Sequence, residues 1–152
     1  MRVTIRKAHP QDDAKAISKL IREELLQPVS ASDTAKALTR LCMSTRHQIY
    51  VAAVDEVVVG FLHICDHDSV LLLQPQKAVM ALAVASSYRR IGIGTALLKR
   101  AEHWAAESGA EGIRMDCCGG SGDAAAFCRA CGYVDEQQEI LFQKLFPRKT
   151  II

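Results

Sequence analysis

The spacing of apolar residues changes several times along the chain, and each change marks an element. Val3 and Ile5 alternate with polar neighbours, the pattern of a short strand with one buried face. Pro10-Gln-Asp-Asp offers proline and acids for a first helical turn. Ile17, Leu20, Ile21 and Leu25 then share one helical face until Pro28 stops the run. A second helix is expected from Ser32-Asp33, with Ala37, Leu38, Leu41 and Cys42 turned inward.

The period then shortens. Ile49 to Val54 and Val57 to His63 are β-branched apolar runs separated by Asp55-Glu56, which predicts a hairpin. Asp66 to Lys77 reads as loop, with Val70 to Leu73 able to extend a strand. Ala78 to Ala85 is almost uninterrupted, as in a central strand buried on both faces. Leu97, Leu98, Ala101, Trp104 and Ala105 return to helical spacing, and Gly109 ends that helix. Ile113 to Cys118 predicts a strand, Gly119 to Gly122 a loop, and Asp123 to Cys131 a short helix closed by Gly132. Tyr133-Val134 and Glu139 to Phe146 predict the last strands. Strands alternating with helices, and hairpins at both ends, indicate an α/β domain with a mixed sheet.

Composition narrows this picture little. The chain has 152 residues, enough for one domain over 1–152 with a sizeable core, and 49% of them are apolar. A net charge of +2 argues for neither nucleic acid nor an anionic membrane as partner. The longest apolar run, Val57 to Cys65, is too short to span a bilayer. MRVTIRKAHP lacks the apolar stretch of a signal peptide, so a cytoplasmic location is expected. Cys128 and Cys131 have C-x-x-C spacing, but no second pair supports zinc, and the cysteines read as small buried hydrophobes with no metal.

Candidate chemistry sits between the central strand and the third helix. Arg89-Arg90-Ile91-Gly92-Ile93-Gly94 puts two glycines where they cost helix stability. A buried strand, a glycine loop and a helix start expose backbone N–H groups that bind anions, phosphate above all. Two arginines add positive charge. A Walker loop is absent, and Leu97 stands where a dinucleotide fingerprint needs its third glycine. A nucleotide-binding domain and a plain glycine-rich turn with solvated arginines remain the alternatives on this motif alone.

Arg89-x-x-Gly92-x-Gly94 resembles the [Q/R]-x-x-G-x-[G/A] signature of GNAT-type N-acetyltransferases. Leu82-Ala-Val84-Ala-Ser-Ser-Tyr-Arg is similar to their strand exit, with Ser86 in place of proline. Ser121-x-x-Ala124-x-x-Phe127-Cys128-x-x-x-Gly132-Tyr133 is similar to their N-x-x-A-x-x-F-Y-x-x-x-G-[F/Y] block. The resemblance covers nearly the whole chain. It implies a mixed central sheet of six to seven strands flanked by about four helices. It implies acetyl-CoA as donor co-substrate and an acetyl transfer to a primary amine by direct attack in a ternary complex. The acceptor would be a small-molecule amine or a protein N-terminus; a homodimer is left open.

The resemblance also assigns roles. Backbone amides from Arg90 through Ile91, Gly92, Ile93 and Gly94 to Thr95 would hold the pyrophosphate, beside Arg89. The edge at Leu82, Ala83 and Val84 would pair with the pantetheine arm, with an amide near Leu82 polarising the thioester carbonyl. Ser121 and Phe127 would complete the donor site. Cys128 stands where the family commonly has a proton-donating tyrosine. A thiol, pKa ~8.5 against ~10 for tyrosine, can donate, but its reach is shorter and packing is the alternative, with water or Tyr133 as donor. No glutamate lies on the central strand between Met80 and Val84, which leaves Asp116, then Asp66 or Asp68, as candidate bases. Without an evident acid or base, a non-catalytic acyl-CoA-binding module is the other reading.

Overall fold

The structure is a computed structural model, and it describes residues 1–116, 122–135 and 141–147. The chain runs β1 (Val3–Lys7), α1 (Ala14–Glu24), α2 (Ala31–Cys42), β2 (His47–Val54), β3 (Val57–His67), β4 (Gln76–Val84), α3 (Ile93–Glu107), β5 (Ile113–Met115) and α4 (Gly122–Ala130). One sheet forms in the order β1-β2-β3-β4-β5. Its neighbours are antiparallel except β4 and β5, which run parallel.

The two faces of the sheet have separate cores. α1 and α2 cover one, where Ile17, Leu20 and Leu38 meet Val51, Phe61 and Ala83. α3 covers the other, where Leu97, Leu98 and Ala101 meet Tyr50, Leu62 and Ile64. Gly60 admits this packing: a Cβ there would lie 3.1 Å from the Ala83 carbonyl oxygen and 3.3 Å from Leu97 Cδ1. Leu97 is fully buried, and its truncation to alanine would cost on the order of 2–5 kcal/mol.

Several expectations change. α1 begins at Ala14 rather than Pro10, because Asp13 spends its carboxylate on Arg6 (2.7 and 2.9 Å) and the His9 N–H (2.6 Å). Burial pushes the Asp13 carboxyl up, yet those donors outweigh it and hold it below the ordinary range. Cys42 is exposed; Thr34 and Leu38 make the buried stripe of α2. β3 and β4 pair out to His67↔Gln76, so the intervening loop is shorter than expected. Val70 to Leu73 forms a turn rather than a strand, with Val70, Leu71 and Leu73 almost wholly exposed.

The described residues form five strands, not six to seven. Tyr133-Val134 and residues 141–146 take no strand; 117–118 and 139–140 lie outside the described residues. Leu141, Phe142, Leu145 and Phe146 are exposed, so no buried face fixes a register for them. Among the described residues, no helix is long and apolar enough to cross a membrane.

Candidate active site

The sheet opens where β4 parts from β5. Among the described residues, Lys77↔Ile113, Ala78↔Arg114 and Val79↔Met115 pair between them. β4 then continues to Val84 without a neighbour on that side among the described residues. The change from Ala81↔His63 to Val79↔Ile64 makes Met80 a bulge, which bends β4 at the point of parting. The Ala85 N–H donates to the Val59 carbonyl (2.8 Å) and sets the phase of the β3–β4 ladder. In that phase Ala81 and Ala83 address β3, whereas the backbone groups of Leu82 and Val84 face the opening. The Val84 carbonyl indeed accepts from Arg89 Nε at 3.4 Å on that side.

The N-terminus of α3 faces the same opening. Its first intrahelical bond runs from Ala96 N–H to the Gly92 carbonyl (3.0 Å), so the amides of Ile93, Gly94 and Thr95 precede the ladder. Gly92 has no side chain to cap this end, and among the described residues the first turn holds no acid. Arg90 (φ +64°) and Gly92 (φ +88°) are both left-handed, a turn that gathers N–H groups into an anion-binding concavity. The two glycines answer different needs. At Gly92 a Cβ would meet nothing within 4 Å, and the positive φ is what demands glycine. At Gly94 a Cβ would lie 3.3 Å from the Phe127 ring, so that glycine lets α4 pack close.

A cavity of about 490 Å³ joins the two features. Of the residues singled out from sequence, Leu82, Ala83, Val84, Arg89, Arg90 and Gly92 line it, as do Ile93, Gly94, Thr95, Asp116 and Phe127. Ile91 and Cys128 are outside its lining, and Ser121 is outside the described residues. Asp116 sits just past β5 with Arg114 Nε at 3.1 Å. The Cys128 thiol lies 4.0 Å from the sulfur of Met115, which lines the cavity. Tyr133 donates to Glu102 (2.9 Å) and is also off the cavity; burial, then the Glu102 carboxylate, pushes its pKa up.

The remaining candidate bases lie elsewhere. Asp66 pairs with Lys77 Nζ (2.5 Å) and Arg46 Nε (3.5 Å), at the end of β3 away from the opening. Burial raises its pKa, but Lys77 outweighs this and holds the carboxyl low. Asp68 accepts the Ser69 N–H. His63 meets His47 at 2.9 Å between ring nitrogens; burial, then His47, pushes its pKa down to about 4. Sequence reasoning missed Glu24, Leu25, Tyr88 and Asp123, which also line the cavity. Glu24 is more than sixty residues from the loop it touches, and no local motif marks it.

A mixed α/β domain whose sheet parts beside an open helix start is a layout for holding an extended, phosphate-bearing ligand. The chain belongs to the acetyltransferase (GNAT) family, whose sequence model matches residues 15–133. The family comprises acetyltransferases that draw on acetyl-CoA as donor. No curated protein matches in a sequence comparison. Among solved structures, a transcriptional regulator from Bacillus halodurans C-125 is similar at TM-score 0.84 and 19% identity, covering 93% of this chain and 99% of that one. AAC(6')-Iy in complex with the bisubstrate analog CoA-S-monomethyl-acetylneamine is similar at TM-score 0.82 and 18% identity, over 95% and 99%. Glucosamine-6-phosphate N-acetyltransferase from Arabidopsis thaliana follows at 0.78 and 15%, over 94% and 99%. At these identities the likeness is one of fold.

Proposed function

We propose that this chain moves an acetyl group from acetyl-CoA to a primary amine on a small molecule, by direct attack in a ternary complex. One observation carries the reading: the open β4 edge and the uncapped α3 N-terminus line a single cavity. The residues present suit the donor, because a left-handed Gly92 and the amides after it form a cradle that no side chain of the described residues fills within 4 Å of a Gly92 Cβ. Acetyl-CoA bound there supplies an acyl group activated as a thioester.

The chain's own groups then divide the work. The amides of Ile93, Gly94 and Thr95, with the Arg90 guanidinium, hold the diphosphate. The backbone of Leu82 and the N–H of Val84 offer an open edge to an amide-bearing arm, which adds as a strand would, while the Val84 carbonyl already accepts from Arg89. The Leu82 N–H faces the opening and donates to the acyl oxygen as negative charge develops on it. Asp116, on the cavity wall, accepts the proton the amine sheds, directly or through water. The thiolate that leaves takes its proton from water, since Cys128 is outside the cavity lining. Amino-sugar acetyltransferases among the structural neighbours support an amine on a small molecule as acceptor.

The test is a panel of amino sugars, polyamines and peptide N-termini offered with acetyl-CoA, followed by release of the CoA thiol. Turnover with at least one amine is expected. CoA binding without turnover across the panel would replace this reading with a non-catalytic acyl-CoA-binding module.

A further inference from the structure

Glu24 is the last residue of α1, yet its carboxylate belongs to the loop between β4 and α3. Oε1 accepts from the Ser86 N–H (3.1 Å) and the Ser86 hydroxyl (2.9 Å), and Oε2 from Arg89 Nη2 (2.5 Å). The Glu24 side chain is 9% exposed, whereas that of Arg89 is 52% exposed. The same guanidinium reaches the Val84 carbonyl through Nε (3.4 Å). One carboxylate therefore ties together the end of α1, the end of the open β4 edge and the residue that precedes the left-handed Arg90.

That last point gives the contact a purpose. Arg90 at φ +64° holds a left-handed conformation that strains a non-glycine residue and persists only where the surroundings over-determine it. The loop's own bonds are short-range: Tyr88 N–H to Ala85 O (2.9 Å) and Arg89 N–H to Ser86 O (3.4 Å). Glu24 adds the anchor from outside the loop, at Ser86 and at Arg89. The pairing also turns the Arg89 guanidinium toward α1, while Arg90 lines the same cavity.

We propose that Glu24 is a positioning residue that holds the Ser86–Thr95 loop in its CoA-binding shape by clamping Ser86 and Arg89. The inference rests on the donor-site reading above. It assigns Arg89 a role through Glu24 rather than through phosphate. Glu24 lines the cavity but takes no part in the proton transfers.

The test uses the full chain and the variants Glu24→Gln, Arg89→Gln and their combination. Glu24→Gln keeps the shape and removes the charge. It should weaken CoA binding about tenfold by calorimetry, in line with losing charge-assisted hydrogen bonds. It should raise the KM for acetyl-CoA with little change in kcat or in the KM of the amine. Because the two residues form one unit, the double variant should lose no more than the worse single one. Hydrogen exchange in the CoA-free protein gives an independent readout: amides of Arg89 to Thr95 should exchange faster in Glu24→Gln while those of Leu97 to Ala101 hold their protection. Wild-type CoA affinity in Glu24→Gln, or additive losses in the double variant, would overturn the clamp. So would a uniform rise in exchange, which marks a merely stabilising contact. Gly92→Asp separates the two readings: if it weakens CoA binding sharply and Glu24→Gln leaves it at the wild-type value, the clamp alone fails. If the wild-type chain binds no CoA, the donor-site reading and the clamp fall together.

Discussion

α2 and α3 begin in opposite ways. At α2, Ser30 is extended (φ −94°, ψ 163°), its hydroxyl accepts the Asp33 N–H at 3.0 Å, and Asp33 adds an acid to the first turn. That end is satisfied by its own side chains. At α3 the corresponding residue is Gly92, with no side chain to offer, no acid in the turn, and two arginines just upstream. The same orphan amides that α2 closes locally are left at α3 for something external. Forgoing a cap costs about 1 kcal/mol of helix stability, and the proposed donor site gives that open end its use.

The largest test fills the open end from within. Gly92→Asp sets a side chain on a left-handed residue and a negative charge at the amides. Left-handed strain of about 1–2 kcal/mol and like-charge opposition together predict on the order of a 100-fold loss of CoA affinity by calorimetry. Gly92→Ala shares the strain but not the charge, and a Cβ there has open space, so its loss should be nearer tenfold. Equal losses in both would show that charge plays no part at this end. Unchanged affinity in a folded Gly92→Asp protein would remove the contrast between the two helices.

Sequence showed this contrast unevenly. The anion cradle was legible because strand, glycines and helix start are adjacent, and local chemistry suffices to read them. The reason for Gly94 was not, because its partner Phe127 comes from α4 and only packing brings the two together. Asp66 looked like a base near a cleft; its partner Lys77 lies across a ladder whose register sequence spacing does not reveal. Glu24 was invisible for the same reason. The strand count failed where burial is weakest: Leu141, Phe142, Leu145 and Phe146 have strand-like composition but bury no face in the described structure. Local geometry set by neighbours in sequence was legible, and contacts between residues far apart in sequence were not.

Acid should separate the two sides of the sheet. Along β3, His63 is two residues on from Phe61 and so lies on the same α1–α2 face, where burial and His47 lower its pKa to about 4. Its unfolded value is near 6.5, so between these values the unfolded chain binds the extra proton. Stability supplied by the neutral ring is therefore present above pH 6.5 and lost as pH falls toward 4, by roughly 2 kcal/mol after allowance for partial exposure. Hydrogen exchange across that window should loosen α1 and α2 before α3, and His63→Gln should flatten the dependence. Equal loosening on both faces would assign the acid sensitivity elsewhere.

A smaller effect tests the closed end. Ser30→Ala removes the cap from α2 and should cost about 1 kcal/mol in chemical denaturation. Ser30 is outside the cavity, so CoA affinity should stay at the wild-type value. A fall in affinity matching that of Gly92→Ala would mean the two helix ends are coupled and the comparison is misdrawn.

The smallest effect expected is at Cys128, on the helix that closes against Gly94. Its thiol faces Met115 at 4.0 Å, and its carbonyl accepts the N–H groups of Cys131 and Tyr133 at the end of α4. An obligatory proton donor contributes on the order of 100-fold or more to turnover, whereas a half-buried packing thiol contributes about 1 kcal/mol of stability. Cys128→Ala removes the thiol and leaves the backbone bonds. It should keep turnover within about threefold of wild type, well short of the loss that defines an acid catalyst. Direct attack needs no acyl-enzyme, so intact-mass spectrometry during turnover should find no acetyl group on Cys128. A hundredfold fall in kcat with unchanged CoA affinity would restore the thiol as proton donor. It would also require α4 to move Cys128 past Met115 into the cavity when substrate binds.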